Sequence, residues 1–269
     1  KPYFVKIAQA SAVWNEPINE LFIEIRKIGI KAEKAMLLAT DNVNTHKGLI
    51  FSLGILIAAA SFCFAKYKIS DSDLIFAIAQ QMVFCELEKD FEKIRNCKPC
   101  DFEGDCKAGE LMQNTLDKNY PTKKNAPDNS FKTCGLEQTH ILKRLTHGEK
   151  LFLKFGYKGI RGEAQNGFPS VRNFSLPVFR RLLNQTDNEN LAKLHTLMLL
   201  MSTVDDTNIL YRSNFKTLQY VKSKAKKTMQ KGGAFTKAGL AYFANLEQKF
   251  VKKNISSGGC ADLLAVTIF

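Results

Sequence analysis

Two adjacent carboxylates, Asp205 and Asp206, directly follow an apolar helical pattern over residues 191–204. Carboxylate oxygens are hard ligands that suit Mg²⁺, especially when substrate phosphates complete its coordination. At the carboxyl end of a helix two negative charges would oppose the helix dipole, so local structure gains nothing from them. The pair therefore predicts a magnesium site, and the alternative is an ordinary polar helix end.

A second polar stretch lies just before an uncharged segment, residues 49–65. Asn44 or Thr45 can cap a helix there, and the free backbone N–H groups and the dipole at a helix start favour an anion. His46 adds a group that can transfer a proton near neutral pH, and Lys47 adds a cation. The stretch predicts an anion-binding helix start, and the alternative is a plain cap with a surface lysine.

Residues 156–169 combine four glycines with charged side chains. Glycine lets the backbone approach a ligand closely, and Lys158 and Arg161 can contact phosphate. Glu163 is a carboxylate within this cationic stretch. No Gly-Lys-Ser/Thr follows, so the pattern is not a Walker A loop, and it lacks the context of a Rossmann site. It predicts a ligand-binding loop that includes Gly162, and the alternative is a tight connecting loop.

A third glycine-containing turn lies near the carboxyl end of the sequence. Ser256, Gly258 and Gly259 precede a final apolar segment, and Asp262 is expected in the first turn of a helix there. Backbone N–H groups at such a turn can contact phosphate or sugar. We predict that the turn contributes to a nucleotide-binding site.

Four cysteines lie in or near an irregular segment, residues 96–138, which has three prolines and little apolar periodicity. These cysteines are Cys97, Cys100, Cys106 and Cys134. Four thiolates can bind Zn²⁺ or an iron–sulfur cluster, and the alternative is unligated surface cysteines. His140, His147 and His195 show no ligand spacing and are predicted to be ordinary helix or loop residues.

The elements that must position these residues are helices. Apolar residues recur at three- and four-residue spacing along most of the chain, and no alternation suggests a βαβ unit. The predicted helices span residues 5–14, 17–38, 48–65, 72–95, 175–183, 191–204, 214–229, 236–252 and 261–269. We predict an all-α fold, a single large domain over residues 1–269 with an insertion or small subdomain at residues 96–138.

The uncharged segment at residues 49–65 bears on where the protein works. About 17 apolar residues is the minimum for a membrane span, but an all-round apolar helix also suits the centre of a large helical bundle. We predict a buried core helix and no membrane association. The seven cysteines are an odd number and no signal-like stretch opens the sequence, so we expect a cytoplasmic protein.

The composition, 45% hydrophobic and 24% charged residues, is that of a globular protein, and the net charge is +13. Residues 212–253 hold eleven lysines or arginines against one acid, Glu247. Such a basic region predicts a polyanionic partner or a solvated basic face. One interpretation is a nucleic-acid-binding protein, although aromatic residues are not spaced as a stacking platform and Asp205 and Asp206 would remain unexplained.

Taken together, the polar stretches resemble the triphosphoribosyl-dephospho-CoA synthase family, which makes the prosthetic-group precursor of citrate lyase and malonate decarboxylase. The citrate-lyase branch is the more similar. The matching stretches occur in family order and are Asn44–Gly48 with Ser52–Gly54, Gly159–Ala164 with Gly167–Val171, Val204–Asn208 with Tyr211 and Arg212, Gly232 with Gly233, and Asn254–Leu264.

The resemblance implies an all-helical enzyme that transfers the 5-triphosphoribosyl group of ATP to the ribose 2′-hydroxyl of 3′-dephospho-CoA and releases adenine. Asp205 and Asp206 would bind Mg²⁺ with the triphosphate, Glu163 would be the general base and His46 the proton donor to adenine. The expected phosphate and nucleotide contacts are Asn44, Lys47, Arg161, Gly162, Arg212, Ser256, Gly258 and Gly259. A functional link to the acyl carrier protein of citrate lyase follows, and a nucleotide-binding member without turnover is an alternative.

Overall fold

A computed structural model describes residues 1–96 and 145–269. Within these ranges the chain forms twelve α-helices and no strand, which confirms the predicted all-α fold. The helices are α1 Pro2–Ala12, α2 Ile18–Ala39, α3 Lys47–Tyr67, α4 Ser72–Asn96, α5 His147–Phe155, α6 Gly159–Gln165, α7 Leu176–Leu183, α8 Glu189–Thr203, α9 Thr207–Arg212, α10 Phe215–Gln230, α11 Lys237–Lys252 and α12 Gly258–Ile268.

The candidate metal-binding cysteines and most of the predicted insertion lie outside the described residues. These are Cys97, Cys100, Cys106 and Cys134, together with His140. The division of the chain into one domain with an insertion at residues 96–138 therefore stays a prediction. The same holds for a Zn²⁺ or iron–sulfur site.

The uncharged segment forms α3, which packs against α1, α2, α4, α6 and α12. Its buried side chains include Ile55, Leu56 and Phe62. By length and composition alone α3 could cross a membrane, and half of its most apolar stretch is buried inside the protein. As predicted, α3 is a core helix of the bundle, and its amino-terminal end reaches the polar stretch around Lys47.

A second group of helices packs around α8, which contacts α7, α10 and α12. Side-chain caps set where these helices begin, because an Asn or Thr oxygen accepts a free backbone N–H of the first turn. Asn188 caps α8, Asn214 caps α10 and Thr236 caps α11. Since α12 contacts both α3 and α8, it joins the two groups.

The glycine-containing stretch at residues 156–169 differs from the predicted loop, because Gly159–Gln165 forms the short helix α6. Two glycines with positive φ bracket this stretch, Gly156 at 75° and Gly167 at 71°. Such angles cost glycine little and reverse the chain on either side of α6. The residues between them, including Glu163 and Ala164, then form a helix.

Candidate functional site

The buried carboxylate of Asp206 joins two helices. Its side chain caps α9 by accepting the backbone N–H groups of Asn208 at 2.8 Å and Ile209 at 3.4 Å. The other oxygen accepts the backbone N–H of Cys260, in the first turn of α12, at 2.9 Å. Only 2% of Asp206 is exposed, and this burial raises the pKa of its carboxyl despite the three hydrogen bonds.

This placement corrects the predicted location of the acid pair at an unfavourable helix end. Helix α8 ends at Thr203, and Asp206 is the N-cap of the next helix, where a negative charge is favourable. The prediction missed α9 because a helix of six residues leaves almost no periodic pattern. Asp206 therefore stabilises the local structure, contrary to the prediction.

Asp205 and Asp206 do not point to a common position. Asp205 forms an ion pair with Lys222 of α10, with 2.5 Å between Oδ1 and Nζ. Asp206 turns instead toward α12. The structure therefore does not bring the two adjacent carboxylates together as one set of metal ligands.

A different carboxylate, Asp262 of α12, lies near Asp206. Burial raises the pKa of Asp262 to about 7, and the charge of Asp206 adds to the effect. The Asp262 carboxylate lies directly over Gly48 at the start of α3, so closely that a side chain at position 48 would overlap it. Asp262 of α12 thus lies at the amino-terminal end of the core helix, within electrostatic range of Asp206.

Glycines allow this close packing. A side chain at Gly258 would contact the Asn208 amide nitrogen at 2.8 Å, and one at Gly259 would contact the Asp206 carboxylate at 2.9 Å. Both glycines, predicted to contact nucleotide, therefore lie at the start of α9, Gly258 against Asn208 and Gly259 against Asp206. Ser256 precedes them and is exposed, while Ser257 is the N-cap of α12.

The polar stretch before α3 forms the helix start that the sequence predicted. Asn44 Oδ1 accepts the backbone N–H of Lys47, the first residue of α3, at 3.1 Å. His46 is the N-cap, and its ring Nδ1 lies 2.7 Å from the Thr45 hydroxyl. The Lys47 ammonium pairs with Glu33 of α2 at 2.8 Å. This stretch adjoins Gly48, against which Asp262 packs.

His147, for which spacing indicated no role, stacks on Tyr211. The ring centroids are 3.5 Å apart and the planes differ by 13°. Partial burial lowers the pKa of His147, as do the positive charges of Lys150, Arg212 and Lys47. Helices α5, α9 and α3 thus bring three cations to one imidazole. Only the tertiary structure reveals this group, because its members are far apart in the sequence.

The charged residues of α6 are engaged with other side chains of the protein. Arg161 pairs with Glu149 of α5 at 3.0 Å. Lys158 donates to Gln165 at 2.8 Å, and Gln165 in turn donates to Glu88 of α4 at 2.6 Å. The predicted phosphate contact Arg161 therefore has a carboxylate partner already.

Glu163 accepts two hydrogen bonds from Ser170, from the hydroxyl at 2.6 Å and from the backbone N–H at 3.1 Å. Burial raises the pKa of Glu163, and the two hydrogen bonds oppose this effect. Gly162, on the same helix, is buried, and a side chain there would overlap Lys158. Helix α6, which carries Glu163, packs on α3 and α4. Helix α12, which carries Asp262, also packs on α3, so both carboxylates belong to helices that contact this core helix.

Metal binding by protein side chains alone finds no support in the described ranges. Among residues 1–96 and 145–269 no group of three or more His, Cys, Asp or Glu side chains is placed to hold an ion. Mg²⁺, however, is commonly held by one or two carboxylates with substrate phosphates. Asp206 and Asp262 are two carboxylates of the kind such a site uses, and a cation near them would offset the charge of Asp206, which adds to the burial that raises the pKa of Asp262.

The lysines of the basic region lie mainly on the surface of α10 and α11. The exposed ones are Lys216, Lys226, Lys227, Lys231, Lys237, Lys249, Lys252 and Lys253. Several rest against tyrosine rings, for example Lys253 at 5.0 Å from the ring centre of Tyr220. The exposure of these lysines is compatible with both alternatives from the sequence, a solvated basic face and a surface for a polyanionic partner.

Comparison of the sequence with known proteins identifies relatives of this chain. The family model described as CitG, ATP:dephospho-CoA triphosphoribosyl transferase, matches residues 1–269. "Protein CitXG" of Leuconostoc mesenteroides subsp. cremoris is 34% identical over 253 residues, which are 94% of this chain and 44% of that protein. This chain thus spans less than half the length of that relative.

Two further relatives are covered more fully. "2-(5''-triphosphoribosyl)-3'-dephosphocoenzyme-A synthase" of Klebsiella pneumoniae is 32% identical over 251 residues, 93% of this chain and 68% of that protein. "Probable 2-(5''-triphosphoribosyl)-3'-dephosphocoenzyme-A synthase" of Lactiplantibacillus plantarum is 35% identical over 271 residues, 100% of this chain and 79% of that protein. No solved structure matches. With its helical bundle and a family match from the first residue to the last, the chain belongs to the CitG family of ATP:dephospho-CoA triphosphoribosyl transferases.

Proposed function

We propose that this protein transfers the 5-triphosphoribosyl group of ATP to the ribose 2′-hydroxyl of 3′-dephospho-CoA and releases adenine. The observation that carries the proposal is the family match over residues 1–269. The reaction breaks the bond between ribose C1′ and adenine, and it forms a bond from that carbon to the acceptor oxygen. The acceptor hydroxyl loses a proton and the departing adenine gains one.

The charges around the start of α3 support a site for a polyphosphate. Lys47 and Arg212 approach the stacked His147, and Arg212 has no carboxylate partner within the described ranges. An arginine can contact phosphate through two parallel hydrogen bonds. We assign Lys47 and Arg212 to the triphosphate, with Asn44, Ser256, Gly258 and Gly259 shaping the adjoining backbone.

For Mg²⁺ the donor set of Asp206 and Asp262 fits better than the predicted pair, because Asp205 is held by Lys222. Bound there together with ATP, the ion would neutralise part of the triphosphate charge. Gly48 and Gly259 leave the space that these two carboxylates need. Asp205 then has a supporting role, through the ion pair that ties the start of α9 to α10.

Glu163 is the proposed general base for the 2′-hydroxyl. Its raised pKa suits a group that must accept a proton near neutral pH, and Ser170 orients its carboxylate. His46, at the start of α3, is the proposed proton donor to adenine. Because Arg161 is paired with Glu149, Arg161 and Gly162 are proposed to affect the site indirectly, by positioning α6.

The direct test is to mix the protein with ATP, 3′-dephospho-CoA and Mg²⁺ and to measure adenine by chromatography. Adenine should appear only when both nucleotides are present. Glu163→Gln should lower kcat by at least about tenfold, because each 1.4 kcal/mol of lost transition-state stabilisation is tenfold in rate. Ser170→Ala, which keeps the carboxylate, should have a smaller effect. ATP binding without adenine release would instead indicate a family member without turnover.

The product would serve as precursor of the citrate lyase prosthetic group, which is carried on an acyl carrier protein. We propose a cytoplasmic location for this biosynthetic step, in keeping with nucleotide substrates. Coupled assays that load the citrate lyase acyl carrier protein from the product would test the link. Malonate decarboxylase is the other enzyme that such a product could supply, and the same assay with the acyl carrier protein of that enzyme would distinguish the two.

The exposed lysines of α10 and α11 favour a second candidate, binding of nucleic acid. Phosphate-backbone binding weakens steeply with salt, so duplex DNA should be titrated at several salt concentrations. Duplex binding with a steep salt slope and no adenine release would favour this candidate over the transferase. Adenine release that duplex DNA leaves unchanged would favour the transferase.

A further inference from the structure

Three cations act on the imidazole of one exposed aromatic pair, His147 and Tyr211, and two of the three have no carboxylate partner within the described residues. Lys47 comes from α3, Lys150 from α5 and Arg212 from α9. Lys47 is paired with Glu33, but neither Lys150 nor Arg212 has a carboxylate partner in the described part of the chain. Like charges held close together destabilise one another unless an anion lies between them. The cluster is therefore suited to a multiply charged anion.

The aromatic pair at the centre of this cluster is stacked and accessible. His147 and Tyr211 stack nearly parallel, and Tyr211 is 40% exposed. One face of the imidazole is covered by the Tyr211 ring, while its edge stays accessible to a ligand. A neutral imidazole offers one N–H donor, and a protonated one offers two.

The charged groups that shift the pKa of His147 come from α5, α9 and α3, and none comes from α4, which also packs on α5. Helix α5 itself contributes Lys150 and Glu149, and Glu149 is already paired with Arg161. Helix α9 contributes Arg212, and α3 contributes Lys47. The uncompensated charge is positive, so the free protein favours the neutral imidazole. An anion that neutralises the cations removes the cause of that preference.

We propose that the stacked His147–Tyr211 pair, together with Lys47, Lys150 and Arg212, forms an oligophosphate subsite in which His147 takes up a proton from solvent as the anion binds. The protonated imidazole then donates a hydrogen bond to a phosphate oxygen. This inference rests on the proposed function, because the triphosphate of ATP is the oligophosphate in question. His147 is a positioning residue for that group, and no bond to carbon changes at this subsite.

The test uses the full chain and inorganic tripolyphosphate, with binding measured by calorimetry at pH 6, 7 and 8. The unsubstituted protein, His147→Gln and Lys252→Gln are compared, and Lys252 is an exposed lysine of α11 outside the cluster. Tripolyphosphate itself titrates in this range, but that contribution is common to all three proteins. Proton linkage through one group changes affinity by up to about tenfold per pH unit.

We expect affinity to fall between pH 6 and pH 8 by at least about fivefold more in the unsubstituted protein and in Lys252→Gln than in His147→Gln. Repeating the titration in two buffers with different heats of ionisation should show proton uptake that His147→Gln lacks. Tyr211→Phe, which keeps the ring, should retain the linkage, whereas Tyr211→Ala should weaken it. Equal pH dependence in the unsubstituted protein and His147→Gln would overturn the inference.

Adenine release, measured on the same preparations, separates this inference from the proposed function. Proton-linked binding of tripolyphosphate without adenine release would leave the subsite standing and remove the transferase. Adenine release from a protein that binds tripolyphosphate without proton linkage would support the transferase and overturn the proposed subsite. Loss of tripolyphosphate binding in Lys150→Gln and Arg212→Gln, with unchanged thermal unfolding, would support the site's location.

Discussion

The charged side chains of two regions next to α3 differ in whether they have partners within the protein. In α6, Arg161 pairs with Glu149, Lys158 bonds Gln165, and Glu163 accepts from Ser170. At the junction of α3, α9 and α12, Asp262 lies within electrostatic range of Asp206. Arg212, at the end of α9, acts on His147 and lacks a carboxylate partner within the described ranges. The side chains of the first region thus have partners within the protein, whereas we propose that a ligand neutralises the charges of the second. Apart from Glu163, the proposed general base, the charged residues of the first region therefore serve structure, whereas those of the second are candidates for ligand binding.

Substitution of Asp206 should have the largest effect on stability. Asp206→Ala leaves three backbone N–H groups without their acceptor and removes the cap of α9, which costs about 2–4 kcal/mol. The melting temperature should fall by several degrees in a thermal scan. Asp205→Ala is the matched control, because its half-exposed ion pair contributes about 1 kcal/mol or less. Equal melting temperatures for the two variants would contradict the structural role of Asp206.

Substitution of Gly48 should disturb the junction without removing a charge. Gly48→Ala places a methyl group where the Asp262 carboxylate lies, so kcat/KM for ATP should fall at least about tenfold, or 1.4 kcal/mol. Gly29→Ala in α2 is the control, since nothing lies within 4 Å of its added methyl group. That change should be neutral or stabilising by up to about 1 kcal/mol. Full activity in Gly48→Ala would show that the position of Asp262 does not matter.

The comparison between the two charged regions can be tested directly by substituting one arginine of each, Arg212 and Arg161. Arg212→Gln should raise KM for ATP about tenfold with little change in unfolding, because a charged contact to phosphate is worth about 1.5–3 kcal/mol. Arg161→Gln breaks a partly exposed ion pair and should lower stability by about 0.5–1 kcal/mol with a smaller change in KM. The reverse pattern would mean that α6 holds the phosphate contacts.

The pH dependence of stability should report on Asp262. Its pKa is about 7 in the folded protein, against about 4 for an ordinary aspartate. The folded state therefore holds a proton that the unfolded chain has released, so this contribution to stability is full below about pH 4 and is lost as the pH rises through 7. Allowing for partial exposure, the loss is about 1–2 kcal/mol.

Asp262→Asn should remove this dependence. Relative to the unsubstituted protein, the variant should melt higher at pH 8 by about 3–6 °C, at roughly 2–4 °C per kcal/mol, and more nearly alike at pH 5. Mg²⁺ with ATP should stabilise the unsubstituted protein more than the variant. A difference in melting temperature that does not grow from pH 5 to pH 8 would argue against a strained Asp262.

Much of the helical framework could be predicted from the sequence. The predicted and observed bounds of α2, α3, α4, α10 and α11 agree within a few residues, because apolar periodicity and caps such as Asn214 and Thr236 are local signals. The start of α3 at Lys47 and its anchoring by Asn44 are also local. Short helices such as α6 and α9 were missed, because glycine or brief length hides their period.

The pairing of side chains was decided only by the tertiary structure. Asp206 and Asp262 come within electrostatic range because α12 packs against both α3 and α8, and neither residue's neighbours in sequence indicate the other. Asp205 turns to Lys222, and His147 stacks on Tyr211, through the same long-range packing. Periodicity and capping depend on residues within a turn or two, so the sequence by itself determined the helices and the residue types at their ends. Which charge faces which depends on how distant helices fill a common core, and only the folded chain contains that information.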